Sequence, residues 1–213
     1  MIYRSKAPLR IGLAGGGTDV SPYSDEFGGA ILNATLSLHA HATIESLNEP
    51  LIIIESLDKK QKQEYAWGLQ LPITGELDLL KGVYNRIQQD HPFTMKGFRL
   101  STFVDAPAGS GLGTSSTLVV AITGAFAEML KLPLGEYDMA HYAYEIERND
   151  LQLAGGRQDQ YAAAFGGFNF MEFYANDKVI VNPLRIRQDY LNELEHNLVL
   201  YFTSTTRESA TII

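Results

Sequence analysis

Pro107-Ala108-Gly109-Ser110-Gly111-Leu112-Gly113-Thr114-Ser115-Ser116-Thr117 is the stretch on which the fold turns. From Gly109 to Ser116 it packs three glycines and four hydroxyl residues into eight positions. Before it, Phe98 to Val104 reads as a strand; after it, Thr114 to Leu130 reads as a helix. Glycine permits positive φ and lets a ligand approach the main chain closely. A helix that starts at once offers N–H groups without intrahelical partners and the positive end of its dipole. Strand, glycine loop and helix N-terminus together make an anion cradle, most often for phosphate. The plainer alternative is a glycine-rich turn capped by Thr114 or Ser115.

Working outward, strands and helices are interleaved without a regular βαβ rhythm. Arg10 to Leu13 reads as a short strand, Ser21-Pro22 as an N-cap and first helical residue of a helix through Phe27, and Ala30 to Ser46 as a strand pair or one long bent strand. Strands follow at Leu51–Ser56 and Gln61–Trp67, and a helix at Glu76–Gln89, whose apolar residues recur with helical period. Beyond the loop and its helix, a second helix is expected from Glu136 to about Asp150 and a short one from Arg157 to Phe165. Strands are expected at Gly167–Phe173, Val179–Val181 and Asn197–Thr203, with a further helix beginning near Thr206. This order predicts an α+β fold: a mixed sheet with helices on one face.

Composition narrows the function. The 213 residues allow a sizeable core, with 45% hydrophobic and 20% charged residues, as in an ordinary globular protein. A net charge of −8 argues against nucleic-acid binding, so any phosphate must be held locally by backbone, a few cations and a metal. With no cysteine there is no disulfide, thiolate metal site or cysteine nucleophile. No run is long and apolar enough for a membrane span, and the default expectation is a cytoplasmic enzyme or binding protein.

Three further groups could carry chemistry. Arg10, Gly15 to Gly17 and Asp19 combine a cation delivered by a strand, a turn of bare backbone and an acid at its rim. Asp19 by itself is equally a turn residue. Gly155-Gly156-Arg157-Gln158-Asp159-Gln160 sets an acid just after a glycine break, either as a catalytic group or as a helix N-terminal partner. Glu147 shares a helix face with Ala140 and Ala143, and a carboxylate on an apolar stripe would suit an oxygen-seeking cation such as magnesium. The central loop lacks the lysine of a P-loop, and Val20 stands where a dinucleotide fingerprint needs its last glycine. His39 and His41 share a strand face without a third ligand, and Tyr142, Tyr144 and Tyr161 read as packing.

Taken together, these motifs resemble those of the GHMP superfamily of small-molecule kinases. Its phosphate motif, Pro-x-x-x-Gly-Leu-Gly-Ser-Ser, is matched from Pro107 through Ser115, with Thr114 for the first serine. The N-terminal motif of its sugar kinases aligns with Ala7-Pro8-Leu9-Arg10 and Thr18-Asp19. Its catalytic Asp matches Asp159, and its magnesium-binding Glu points to Glu147. The run Lys6 to Val20 looks most like the branch that phosphorylates D-glycero-D-manno-heptose phosphates. Galactokinases have Glu-His where Gly16-Gly17 stand, which implies a different or bulkier sugar. The family's third motif, in a C-terminal domain, has no counterpart in this sequence. The resemblance therefore implies an N-terminal ATP-binding domain over residues 1–203, with 204–213 opening a C-terminal domain mostly missing here.

The resemblance implies ATP and Mg²⁺ as cofactors and a sugar phosphate as partner. Pro107, Gly109, Ser110, Gly111, Leu112, Gly113, Thr114, Ser115 and Ser116 would cradle the triphosphate, and Ser115 or Thr114, with Glu147, would hold the metal. Asp159 would take the proton of the acceptor hydroxyl, paired with Arg10, which would help neutralise the transferring phosphoryl group. Gly16, Gly17, Thr18 and Asp19 would meet the sugar. The acceptor is expected to be the anomeric hydroxyl of a heptose 7-phosphate. Another sugar kinase, fucokinase-like, or a non-catalytic nucleotide- and sugar-binding regulator are the alternatives.

Overall fold

The computed structural model describes residues 1–68, 70–199 and 201. It contains β1 (Ile2–Ala14), α1 (Tyr23–Phe27), β2 (Gly29–Leu47), β3 (Leu51–Ser56), β4 (Gln61–Ala66), α2 (Asp78–Asp90) and β5 (Gly97–Val104). These are followed by α3 (Thr114–Leu130), α4 (Glu136–Glu145), α5 (Gln158–Phe165), β6 (Phe168–Phe173), β7 (Val179–Pro183) and α6 (Gln188–Asn197). The expected α+β class holds: one mixed sheet with helices laid on one face.

The sheet is assembled on β2, a single strand of 19 residues where a pair or one bent strand was expected. One of its edges carries β1, antiparallel, from Ile2 opposite Glu45 to Ala14 opposite Leu32. Its other edge is shared, with β6 on residues 29–34 and β5 on residues 40–47. β3 joins β5 in parallel and β4 closes that side; β7 closes the other. Because side chains alternate across a strand, Ala40, Ala42 and Ile44 point into the core, while His39, His41, Thr43 and Glu45 face outward and remain partly wet. The His pair lies on that wet face with ring centroids 5.9 Å apart, and His41 Nε2 is 3.6 Å from Asp105.

Helix α3 lies on β1, β2 and β5 and fills the core with Val119, Ile122 and Phe126, all fully buried. At the end near α2, Phe126 packs against Tyr84, Phe93 and Phe98 with ring centroids 5.8–6.5 Å apart. Tyr161 is buried and paired with Tyr137, and Tyr142 donates to Asp90, so these tyrosines pack as expected.

The structure departs from the sequence reading at several boundaries. β1 begins at Ile2 because its whole length finds a partner in β2, although its residues are too polar to read as a strand alone. α1 has Pro22, not Ser21, at its N-cap. The expected helix 136–150 is α-helical only to Glu145 and continues as a π-helical turn, Ile146–Asp150. α6, which no apolar stripe announced, occupies residues 188–197 and buries none of its side chains. Asn197 ends that helix rather than starting a strand; the rest of the expected strand past Val199 and the helix near Thr206 fall almost entirely outside the described residues. Among the described residues, no helix is long and apolar enough to cross a membrane.

Candidate active site

Three loops converge at one end of the sheet: the turn after β1, the β5–α3 loop, and the break between the π-helical turn and α5. They enclose a cleft of about 1110 Å³. Arg10, Gly16, Gly17, Asp19, Gly109, Gly111, Gly113, Thr114, Ser115, Ser116, Glu147 and Asp159 all line it. These residues are separated by up to 149 positions in the chain, and the fold brings them together.

The central loop adopts the backbone that its glycines allow. Gly109, Gly111 and Gly113 all have positive φ, of 75°, 77° and 72°. At Gly113 space matters as well: a Cβ would sit 3.1 Å from both Cγ and Oδ2 of Asp159. Gly113 is also the N-cap of α3, and no side chain caps that helix. The first-turn N–H groups, at the positive end of a 17-residue helix, therefore open towards the cleft, contrary to the capped-turn alternative. Leu112 anchors the loop by burying its side chain in the core and accepting a 3.2 Å hydrogen bond from the Arg10 N–H. Pro107 accepts a turn bond from Ser110 N–H; neither they nor Leu112 line the cleft. A shallow second depression, lined in part by Leu79, Val104 and Leu118, shares Ala108, Thr114 and Ser115 with the cleft.

Arg10 and Asp159 form the ion pair expected of them. Nε and Nη2 of Arg10 lie 2.7 and 2.6 Å from the same oxygen, Asp159 Oδ1, and Nη1 donates to the Gly111 carbonyl at 2.6 Å. The arginine thus ties β1, α5 and the β5–α3 loop to one point and leaves Oδ2 as the oxygen next to Gly113. Both side chains remain partly exposed, at 14% and 22%.

Glu147 is 1% exposed. The π-helical turn swings it off the regular helix path towards α3, where Ser116 Oγ donates to Oε1 at 3.1 Å and Gln160 Nε2 donates to Oε2. Burial pushes its carboxyl above the usual range; Arg148, Gln160 and Ser116 pull it back, and Asp159 adds to the rise. Gln160 Oε1 is buried nearby without a hydrogen-bond partner. A buried carboxylate, a hydroxyl and an orphan amide oxygen form an all-oxygen set that fits a hard cation such as Mg²⁺. Among the described residues no group of three or more carboxylate or imidazole ligands exists, so most of such an ion's coordination must come from phosphate oxygens and water. The hydroxyl bonded to Glu147 is that of Ser116; Thr114 and Ser115, the residues expected to join Glu147 at a metal, line the same cleft.

Asp19 is 2% exposed, and its Oδ2 accepts from the N–H groups of Arg157 and Gln158 at 2.8 and 2.9 Å. It therefore serves as an acidic cap for α5 and fixes the helix that carries Asp159. Gly156 makes this approach possible, since a Cβ there would lie 1.9 Å from Asp19 Oδ2. Thr18 Oγ1 bonds to the Gly15 and Ala30 carbonyls and receives the Ala30 N–H, which clasps the turn to β2.

Sequence reasoning assigned no role to Arg148, Gln158 or Gln160. Arg148 donates to the carbonyls of Leu153 and Gly156 and stands 3.9 Å from Glu147. Gln158 and Gln160 flank Asp159 and bond to Asp19 and Glu147. The available signal was a glutamine on each side of the acid just after a glycine break. Arg157, quoted with the same motif, turns away from the cleft to Ser24, Asp25 and the Tyr174 carbonyl.

Residues 78–167 match the sequence model of the GHMP kinases N terminal domain. Over 209 residues the chain is 54% identical to D-glycero-alpha-D-manno-heptose 7-phosphate kinase of Campylobacter jejuni subsp. jejuni, covering 98% of this chain and 62% of that protein. Its structure matches that of a D-glycero-D-manno-heptose 1-phosphate kinase from Bacteriodes thetaiotaomicron with a TM-score of 0.88 and 59% identity, over 92% of this chain and 63% of that one. A Lactococcus lactis galactokinase complexed with galactose shares the fold, at a TM-score of 0.71 and 20% identity over 87% of this chain and 48% of that one. The chain thus spans less than two thirds of the length of these relatives.

Proposed function

We propose that this chain, which carries the N-terminal domain of the GHMP kinases, supplies the phosphate loop and the catalytic acid–arginine pair of an ATP-dependent sugar kinase acting on a heptose phosphate. The single observation that carries the reading is the convergence of an uncapped helix N-terminus, the Arg10–Asp159 pair and the buried Glu147 on one cleft. Each alone has a structural explanation; phosphoryl transfer needs all three within reach of one phosphate.

The loop amides from Gly109 to Ser115 bind the triphosphate at the uncapped start of α3. Glu147 and a hydroxyl of Ser116 or Ser115 would hold Mg²⁺, which, when bound, neutralises charge on the β- and γ-phosphate oxygens. Oδ2 of Asp159 orients the acceptor hydroxyl and takes its proton as the hydroxyl oxygen bonds to the γ-phosphorus. The bond from that phosphorus to the β–γ bridging oxygen breaks, and ADP leaves with the electron pair. Arg10 holds Asp159 through its other oxygen and presents positive charge beside the loop. Asp19 fixes the start of α5 and, from the cleft wall, faces the sugar end.

The names of the two heptose kinases differ in the phosphate position, 7 and 1. A heptose that already carries a 7-phosphate and receives the second phosphate on its anomeric oxygen is the reading that motivates the test. The purified protein is incubated with Mg-ATP and a panel of heptose 7-phosphate, mannose, fucose and galactose, and products are followed by phosphorus NMR. A new anomeric phosphate signal with heptose 7-phosphate is expected. Tight binding of ATP and sugar by calorimetry without product would instead identify a non-catalytic regulator.

A further inference from the structure

Asp159 and Gln160 are neighbours on α5, yet only Asp159 lines the cleft. Gln160 is fully buried behind it. Its Nε2 donates to two side chains that do line the cleft, Glu147 at Oε2 and Ser116 at Oγ, the latter at 3.1 Å. Ser116 Oγ is itself 3.1 Å from Glu147 Oε1, so the three groups close a ring. An amide nitrogen carries two hydrogens, and here one goes to each neighbour. The serine hydroxyl, accepting from Gln160, turns its single proton to Glu147. Both oxygens of the carboxylate are thus held, one by the serine and one by the amide. Among the described residues Gln160 Oε1 has no partner, so these two bonds alone orient the amide. Reversing it would set oxygen against the carboxylate.

We infer that Gln160 is a positioning residue: from behind the cleft it fixes the Glu147 carboxylate and the Ser116 hydroxyl relative to each other, as a pair prepared for a divalent cation. The inference rests on the reading of Glu147 and a serine of the α3 start as cation ligands, and adds the residue that sets their geometry. Such a role matters for a small, hard cation, which demands near-ideal ligand geometry. Groups that orient the ligands from behind then contribute to its affinity without touching it. The three residues come from three separate elements: Ser116 from α3, Glu147 from the π-helical turn and Gln160 from α5. Helix α5 therefore serves the cleft twice, with Asp159 facing into it and Gln160 bracing the carboxylate beside it.

Gln160→Met keeps the length and bulk of the side chain and removes both donors; Gln160→Asn keeps the amide and withdraws it by one methylene. Affinity for ADP is measured by calorimetry with Mn²⁺ present and again with EDTA in its place, and metal-free crystal structures of parent and variants are compared. Gln160→Met should weaken binding of Mn²⁺-ADP on the order of 10- to 100-fold and leave binding of metal-free ADP as in the parent. In its crystal structure the Glu147 carboxylate leaves the position bonded to Ser116 Oγ. Gln160→Asn, which carries the test if the Met variant does not fold, changes the same ratio by a smaller factor. A residue that merely fills the core would leave the two ADP affinities in the parent ratio. An unchanged Mn²⁺-ADP affinity, an equal loss with and without metal, or a Glu147 side chain that keeps its parent position in both variants would overturn the inference. Absence of sugar phosphate product from the parent sinks the kinase reading and leaves these binding and structural readouts intact. A parent that binds ADP no better with Mn²⁺ than without it sinks the cation ligands, and the role of Gln160 with them.

Discussion

The two ends of this molecule fill their interiors with opposite chemistry. At the end near α2, the sheet and α3 close over rings: Tyr84, Phe98 and Phe126 are buried, joined by Phe93 and by Trp67 at 5.8 Å from it. At the other end, the same α3 and β2 close over Glu147, Gln160, Asp19 and Arg157, each 3% exposed or less. The aromatic end gains from apolar area and ring packing, and its geometry tolerates any well-filled arrangement. The polar end gains little net stability, because each buried charge gives up hydration that its partners only restore. What it gains is fixed geometry around a cleft. The difference teaches that stability and chemistry are separated along the length of one helix, with Phe126 towards one end and Ser116 at the other.

The comparison breaks if substitutions at the two ends have the same consequences. The largest expected effect is at Asp159. Asp159→Asn keeps the shape of the Arg10 contact but cannot accept the acceptor proton, so kcat falls roughly 10²–10⁴-fold. Its denaturant midpoint stays close to that of the parent; a near-normal kcat would remove Asp159 from the role of base.

Phe126→Ala should do the reverse. A fully buried ring replaced by a methyl group costs about 3–5 kcal/mol in urea unfolding. Under conditions where the variant remains folded, its kcat and KM should match the parent values. A selective loss of kcat would show that the aromatic end positions the site, and the two ends would no longer be separable.

The smallest effect on stability, and the sharpest test, concerns Glu147. Its folded pKa is raised above 4.5 chiefly by burial, so the stability it contributes in the protonated form is lost as pH rises through that folded value. Glu147→Gln should therefore be more stable than the parent above that folded value, with the difference vanishing at acid pH where the parent carboxyl is protonated in both states. With Glu147 in the proposed role of cation ligand, Mg²⁺-dependent turnover should fall on the order of 10²-fold. Thermal midpoints across pH, compared with turnover at several Mg²⁺ concentrations, read both arms. A stability loss at neutral pH would make Glu147 a structural acid.

Much of this site was legible because its parts are local. The glycines of the β5–α3 loop prescribe their own positive φ, and Thr114 onward is helical by composition, so the uncapped helix start is encoded within eleven residues. The helical spacing of Ala140, Ala143 and Glu147 likewise predicted burial of the acid, and all three are buried. The π-helical turn was not legible, since one extra residue in a turn leaves no periodic trace; Glu147 lies on it, hydrogen-bonded to Ser116. Asp19 read as a rim acid for the sugar, yet its main partners are the backbone N–H groups of Arg157 and Gln158, 138 and 139 residues away. β1 was read as a short strand for the same kind of reason: its polar first half is a strand only because β2 is there to pair with it.

The sequence by itself therefore determined the mixed α+β class, the glycine loop that opens α3 and the identity of the acids and arginine that meet at the cleft, because backbone conformation, helical period and charge are properties of short segments. Only the tertiary structure decided which oxygen of Asp159 is held by Arg10, which serine meets Glu147, and that Asp19 braces the helix bearing Asp159. These depend on distances between residues far apart in the chain, and those distances are set by how the long strand β2 gathers the other strands and the helices that rest on them.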